Sequence, residues 1–108
     1  MTQVKIETVE EFAEVVQQNE KVLLIKHSLT CPVSLAAFDE YEAFMKENPE
    51  VKSYYLYVQE ARPLSNYIAD EYGVKHESPQ ALVFENNSVS WNASHWKITK
   101  TSLAEIMA

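Results

Sequence analysis

The segment Thr30-Cys31-Pro32-Val33-Ser34 holds the chain's only cysteine, where the apolar run Val22-Leu23-Leu24-Ile25 gives way to a helical pattern. A cysteine at a helix N-terminus meets unpaired backbone N–H groups and the positive end of the helix dipole, which favour a thiolate over a thiol. The thiolate is the nucleophile, so the placement points to thiol chemistry. The competing reading of a lone cysteine is a small buried hydrophobe. A structural cysteine gains nothing from a following proline and a helix start, whereas a nucleophile does, and Cys31 is expected to be partly exposed. One cysteine cannot close an internal disulfide, which fits a reducing compartment and leaves Cys31 to pair with another molecule.

The elements that must position this thiol can be read along the chain. A short strand is predicted over Gln3–Glu7, then a helix over Val9–Gln18. Thr8 and Glu11 stand at capping-box spacing, and Val9, Phe12, Val15 and Val16 form one apolar face. Lys21–His27 reads as a buried central strand. Pro32 suits a first helical turn, and Leu35, Phe38, Tyr41 and Met45 carry an apolar stripe that should end before Pro49. Ser53–Val58 reads as a strand, Pro63 opens the next helix with Leu64, Tyr67, Ile68 and Tyr72 inward, and Gly73 supplies its left-handed stop. Ala81–Glu85 and a strand starting at Val89-Ser90-Trp91 flank Asn86-Asn87, which has the chemistry of a tight hairpin turn. A final helix within Ile98–Met107 would be capped by Thr101 or Ser102 and carry Leu103, Ile106 and Met107 inward. The order β-α-β-α-β-α-β-β-α predicts a single α/β domain over 1–108, a three-layer sandwich. Helix-separated strands should pair in parallel, and the terminal hairpin adds an antiparallel edge.

Composition narrows the class. The chain has 108 residues, 46% apolar and 23% charged, enough for one core without disulfides or metals. Its longest apolar runs are far too short to span a membrane, and the acidic start at Glu7, Glu10 and Glu11 does not resemble a signal peptide, so a cytoplasmic protein is expected. A net charge of −7 argues against nucleic acid or an anionic membrane as partner. No repeat, linker or low-complexity segment interrupts the chain.

The element order, with Cys31-Pro32-Val33-Ser34 opening the second helix, resembles a thioredoxin fold whose second motif cysteine is serine. Gly73-Val74-Lys75-His76-Glu77-Ser78-Pro79-Gln80 resembles the stretch in which a thioredoxin helix ends and a proline precedes the penultimate strand. The resemblance implies a mixed central sheet and a cis Ser78-Pro79 bond, whose preceding backbone would pair with an extended substrate chain. More narrowly, Thr-Cys-Pro-Val-Ser, His76-Glu77-Ser78-Pro79-Gln80 and Trp91-Asn92-Ala93-Ser94-His95-Trp96 are together similar to the monothiol bacilliredoxin family. That resemblance implies removal of bacillithiol, a low-molecular-weight thiol, from S-bacillithiolated client proteins through a mixed disulfide at Cys31. Bacillithiol would be co-substrate, with no bound cofactor. Because Ser34 stands at the resolving position, free bacillithiol or another reducing protein would have to clear Cys31. The protein is expected to act as a monomer.

Around the thiol, two readings stand for most residues. Thr30 and Ser34 either hydrogen-bond at the reaction centre or are ordinary polar residues of a helix start. His27, His76 and His95, accompanied by Lys26, Lys75 and Lys97, either favour an anionic thiol and an anionic partner or are solvated loop-end side chains. Strand alternation forbids Lys26 and His27 from facing the same way. Ser78, Pro79, His76, Ser94, His95 and Trp96 are the candidate substrate-contacting residues, Trp96 as a groove wall, whereas Trp91 reads as packing. Three dispersed histidines and one cysteine lack the ligand spacings of a structural zinc site, so no metal is expected. Two other functions remain open. One is a glutaredoxin-like iron-sulfur carrier, disfavoured by Pro32-Val33 and by the absence of a Gly-Gly turn. The other is a non-enzymatic interaction module whose Cys31 is a regulatory thiol modified under oxidative stress.

Overall fold

A computed structural model describes residues 3–108. Its elements are β1 (Val4–Lys5), α1 (Val9–Gln18), β2 (Lys21–His27), α2 (Pro32–Glu47), β3 (Ser53–Tyr57), α3 (Arg62–Tyr72), β4 (Gln80–Glu85), β5 (Ser88–Ser94), a 3₁₀ turn (His95–Lys97) and α4 (Lys100–Met107). The strands form one sheet in the order β1-β3-β2-β4-β5. Alternation along β2 builds a core on each face. Val22 and Leu24 pack with Leu56, Leu82 and Phe84 against Phe12, Val15 and Val16 of α1 and Leu64 and Ile68 of α3. Leu23 and Ile25 pack with Ala81 and Val83 against Ala37, Tyr41, Phe44 and Met45 of α2 and Leu103 of α4. Because both faces are covered, β2 and β4 read as continuous apolar runs rather than alternating ones.

The local signals act as the sequence suggested at most boundaries. Thr8 Oγ1 accepts the Glu11 N–H at 3.1 Å and Glu11 Oε1 accepts the Thr8 N–H at 3.1 Å, closing the capping box. Gly73 ends α3 at φ +64°, and Asn86 and Asn87 turn the β4–β5 hairpin at φ +52° and +62°. Those are the signs a two-residue hairpin turn needs to match the twist of its strands.

Four expectations are corrected. The first strand is shorter than Gln3–Glu7: only Val4 and Lys5 pair with β3, and Ile6 adds a single N–H bond to the Tyr55 carbonyl at 2.9 Å. Second, β4 is helix-separated yet antiparallel to β2, with Gln80 opposite Lys26. Residues 73–79 deliver the chain to the sheet end where β2 exits, so β4 must run back from there. Third, Leu35 is 51% exposed, because the buried face of α2 runs through Ser34, Ala37, Tyr41, Phe44 and Met45. A residue one step beyond Ser34 lies about 100° round the helix. Fourth, the cap of α4 is Thr99, whose Oγ1 accepts the Ser102 N–H at 3.0 Å while Ser102 Oγ accepts the Thr99 N–H at 3.0 Å. Ser102 therefore contributes from inside the helix, and Thr101 takes no part.

Phe12 joins three elements: its ring meets Tyr67, Tyr72 and Phe84 edge-on at 6.3, 5.9 and 5.2 Å. Phe12→Ala should cost about 3–5 kcal/mol. A lower urea midpoint with an unchanged slope is the expected outcome, and an unchanged midpoint would contradict this packing.

Candidate active site

Between β2 and α2 the chain turns through residues 28–31, and its polar groups are tied from two sides. The Ser28 N–H donates to Ser34 Oγ at 2.7 Å, and Ser34 Oγ lies 3.2 Å from His27 Nδ1. Burial lowers the His27 pKa, which favours the neutral imidazole, and the bonding pattern is then satisfied with the Ser34 hydroxyl donating to Nδ1. From the far side, Gln59 reaches over from just beyond β3. Its Oε1 accepts the Leu29 N–H at 3.1 Å, and its Nε2 donates to Ser28 Oγ at 2.9 Å and to Thr30 Oγ1 at 3.4 Å. Thr30 and Ser34 thus both belong to the fastening of this junction, and Ser34 is wholly buried.

Cys31 emerges from the fastened junction as the N-cap of α2, with extended backbone at φ −102° and ψ 121°. Its carbonyl accepts the Leu35 N–H at 3.1 Å, while its side chain makes no capping hydrogen bond. Pro32 fills the first helical position, where no N–H is needed. The thiol is free and partly exposed. Near it in sequence, the side chains of Leu29 and Leu35 are 42% and 51% exposed.

The same end of the sheet gathers most of the other candidates. The Ser78-Pro79 bond is cis. The Pro79 carbonyl accepts the His95 N–H at 3.2 Å, and Gln80 pairs with Lys26 on one side and Ser94 on the other. Ser78, Pro79, Ser94 and His95 therefore form one continuous edge beside the exit of β2. His95 is exposed at φ +55°. Trp96 is 72% exposed, and with Ala36, Glu40 and Thr99 it lines a groove of about 240 Å³ between α2 and the turn that follows β5. Trp91 packs against the α2/α4 core.

The basic residues do not form one patch. His27 lies under α2, with its ring centre 4.5 Å from that of Phe38, while Lys26 points to the opposite face. There Lys26 Nζ donates to the Ser65 carbonyl at 3.1 Å and to His76 Nδ1 at 3.3 Å, and Ser65 Oγ is 3.1 Å from the same nitrogen. His76 is thus turned into the fold rather than presented at the rim. His95, Lys75 and Lys97 stand near Glu77, whose carboxyl is held below its ordinary pKa by a hydrogen bond from Ser94 and then by those three charges. The rim carries both signs. Among the described residues no group of three or more His, Cys, Asp or Glu side chains is placed to hold a metal, and no helix is long and apolar enough to cross a membrane. Sequence reasoning missed Gln59, Ser65 and Glu77. Each acts across a long sequence separation and has no local motif.

Comparison with known proteins agrees with this geometry. The family model described as "Monothiol bacilliredoxin BrxC" matches residues 4–103. A solved structure described as having a thioredoxin fold is 41% identical, with a TM-score of 0.92, over 99% of this chain and 95% of its own. Fasciola hepatica thioredoxin is 18% identical with a TM-score of 0.76, covering 95% of this chain and 94% of that one. Mitochondrial thioredoxin 3 from Saccharomyces cerevisiae, in its oxidised form, is 18% identical with a TM-score of 0.73, over 94% of this chain and 90% of that one. The distant thioredoxins share the fold. The family match together with that fold supports a thiol oxidoreductase.

Ser34→Ala leaves the Ser28 N–H and the His27 ring without their partner and should cost about 1–3 kcal/mol in urea unfolding. It should also raise amide exchange at Ser28 and Leu29, and unchanged exchange there would show that Ser34 does not hold the junction. Burial lowers the His27 pKa, so the unfolded chain takes up a proton first as pH falls. The stability His27 contributes is therefore complete above its unfolded pKa and is lost below it. Between about pH 7.5 and about pH 5.5, the urea midpoint should fall less in His27→Leu than in the parent protein. Equal falls would assign the pH dependence elsewhere.

Proposed function

The chain belongs to the monothiol bacilliredoxin family, and from that premise we propose that it removes bacillithiol from S-bacillithiolated proteins through a mixed disulfide at Cys31. The observation that carries this reading is the pairing of a free, partly exposed Cys31 with a wholly buried Ser34 three residues on. The Cys31 thiolate attacks the bacillithiol sulfur of the client's mixed disulfide. That disulfide breaks, the client leaves as a thiolate that takes a proton from solvent, and bacillithiol remains bonded to Cys31. Ser34 offers an alcohol, which cannot displace a thiol from sulfur to close an internal disulfide. A second bacillithiol thiolate, or a thiol of a separate reducing protein, then attacks the adduct and regenerates Cys31. With free bacillithiol the sum is a thiol–disulfide exchange in which the bacillithiolated client and one free bacillithiol become the client thiol and bacillithiol disulfide.

The exposed side chains of Leu29 and Leu35 and the exposed indole of Trp96 support a protein as the donor of the mixed disulfide, since a small polar thiol alone gives no reason to keep them in water. Ser78, Pro79, Ser94 and His95 would line the client's path, in a reducing compartment such as the cytoplasm, with the protein acting as a monomer.

The test follows release of thiol from a bacillithiolated client and from a glutathionylated one, with Cys31→Ala as control. Fast release from the bacillithiolated client, slower release from the glutathionylated one and none above background in the variant is the expected pattern. Modification of Cys31 without faster client release would instead identify a regulatory thiol. Equal rates with both clients would remove bacillithiol as the preferred partner.

A further inference from the structure

Lys26 is an unusual residue for the centre of a sheet. It is wholly buried on the sheet face opposite His27, five positions before Cys31, and no carboxylate pairs with it among the described residues. A buried ammonium without a counter-ion costs stability, and burial lowers its pKa to about 8. The two groups it does hold are the carbonyl of Ser65 in α3 and Nδ1 of His76 in the segment leading to Pro79. Its ladder partner Gln80 lies on the same face of the sheet, and Gln80 Nε2 donates to the Lys75 carbonyl at 3.0 Å. Lys26 and Gln80 thus grip residues 75 and 76 from the sheet. Other ties hold the segment at its rim, where Ser94 bonds Glu77 and the His95 N–H bonds the Pro79 carbonyl, while inside the fold Ser78 Oγ and Gln80 Oε1 are buried with no hydrogen-bond partner.

We propose that Lys26 is a positioning residue that holds His76, and through it the 76–79 segment, in the shape that receives the polypeptide part of a bacillithiolated client. The proposal rests on the thiol-exchange function above. A client protein lays chain along Ser78 and Pro79, so its binding depends on that shape. Bacillithiol disulfide brings only its own small groups to Cys31 and needs the segment far less. Lys26 therefore sets the discrimination between a protein disulfide and a small one without touching the reacting sulfurs.

The experiment compares steady-state kinetics with a bacillithiolated protein and with bacillithiol disulfide, each with a dithiol as terminal reductant and its uncatalysed rate subtracted, in the parent, Lys26→Met, His76→Leu and His76→Gln. Methionine keeps the length of the lysine stem and removes its donors. Loss of a hydrogen bond from a charged donor corresponds to about tenfold, so KM for the protein client should rise about tenfold in Lys26→Met and His76→Leu. Their kcat, and their KM for bacillithiol disulfide, should stay within about twofold. His76→Gln supplies an acceptor oxygen and should restore the client KM. Should Lys26→Met fail to fold, the His76 pair decides alone. An unchanged client KM in the folded variants, or equal rises for client and small disulfide, would overturn the role of Lys26. Absence of exchange by the parent protein with either substrate would overturn the function itself, and this proposal with it.

Discussion

The geometry at Cys31 depends on one hydroxyl. Ser34 Oγ accepts the Ser28 N–H at 2.7 Å, lies against His27 Nδ1, and does so from the buried face of α2. That contact joins the end of the central strand to the first turn of the helix, so the link between them has little freedom. Gln59 closes the other side through Ser28, Leu29 and Thr30. With the junction held at both sides, Cys31 is carried at the helix start with its side chain in no cap interaction. The two core layers make this possible, since they fix β2 and α2 on either side of the link between them.

The same position explains the single-thiol chemistry. A cysteine at 34 would supply a resolving thiol but a poorer and longer acceptor than a hydroxyl, because sulfur is larger and accepts hydrogen bonds weakly. Serine gives the junction a firm anchor and removes the internal exit from a mixed disulfide. Rigidity at the junction and reliance on an outside thiol are thus two consequences of one oxygen atom. The polar groups around it follow the same logic on both faces of the sheet: His27 is neutralised beneath α2, and Lys26 is held by neutral partners beneath α3.

Much of this was legible in the residues. The capping box at Thr8, the stop at Gly73, the turn at Asn86-Asn87 and the helix start at Pro32 are set by neighbours within a few positions, and all appear where the sequence places them. Lys26 and His27 face opposite ways because a strand permits nothing else. What escaped was set at a distance. Gln59 finds Ser28 across 31 positions and Lys26 finds His76 across 50. The exposure of Leu35 escaped for a different reason: an apolar side chain one step off the buried face looks like core in a sequence read by residue type. The antiparallel β4 likewise depends on where residues 73–79 leave the chain, which no local pattern encodes.

In the proposed reaction the thiol carried by this junction takes bacillithiol onto itself and has no internal way to lose it. The most direct measurement is the intact mass of the protein after one equivalent of bacillithiolated client has been consumed, with no other thiol present. The expected result is one bacillithiol per chain, on Cys31, persisting until a second thiol is added. A chain that is unmodified after the client has been released, or one joined through Cys31 to the client itself, would contradict it.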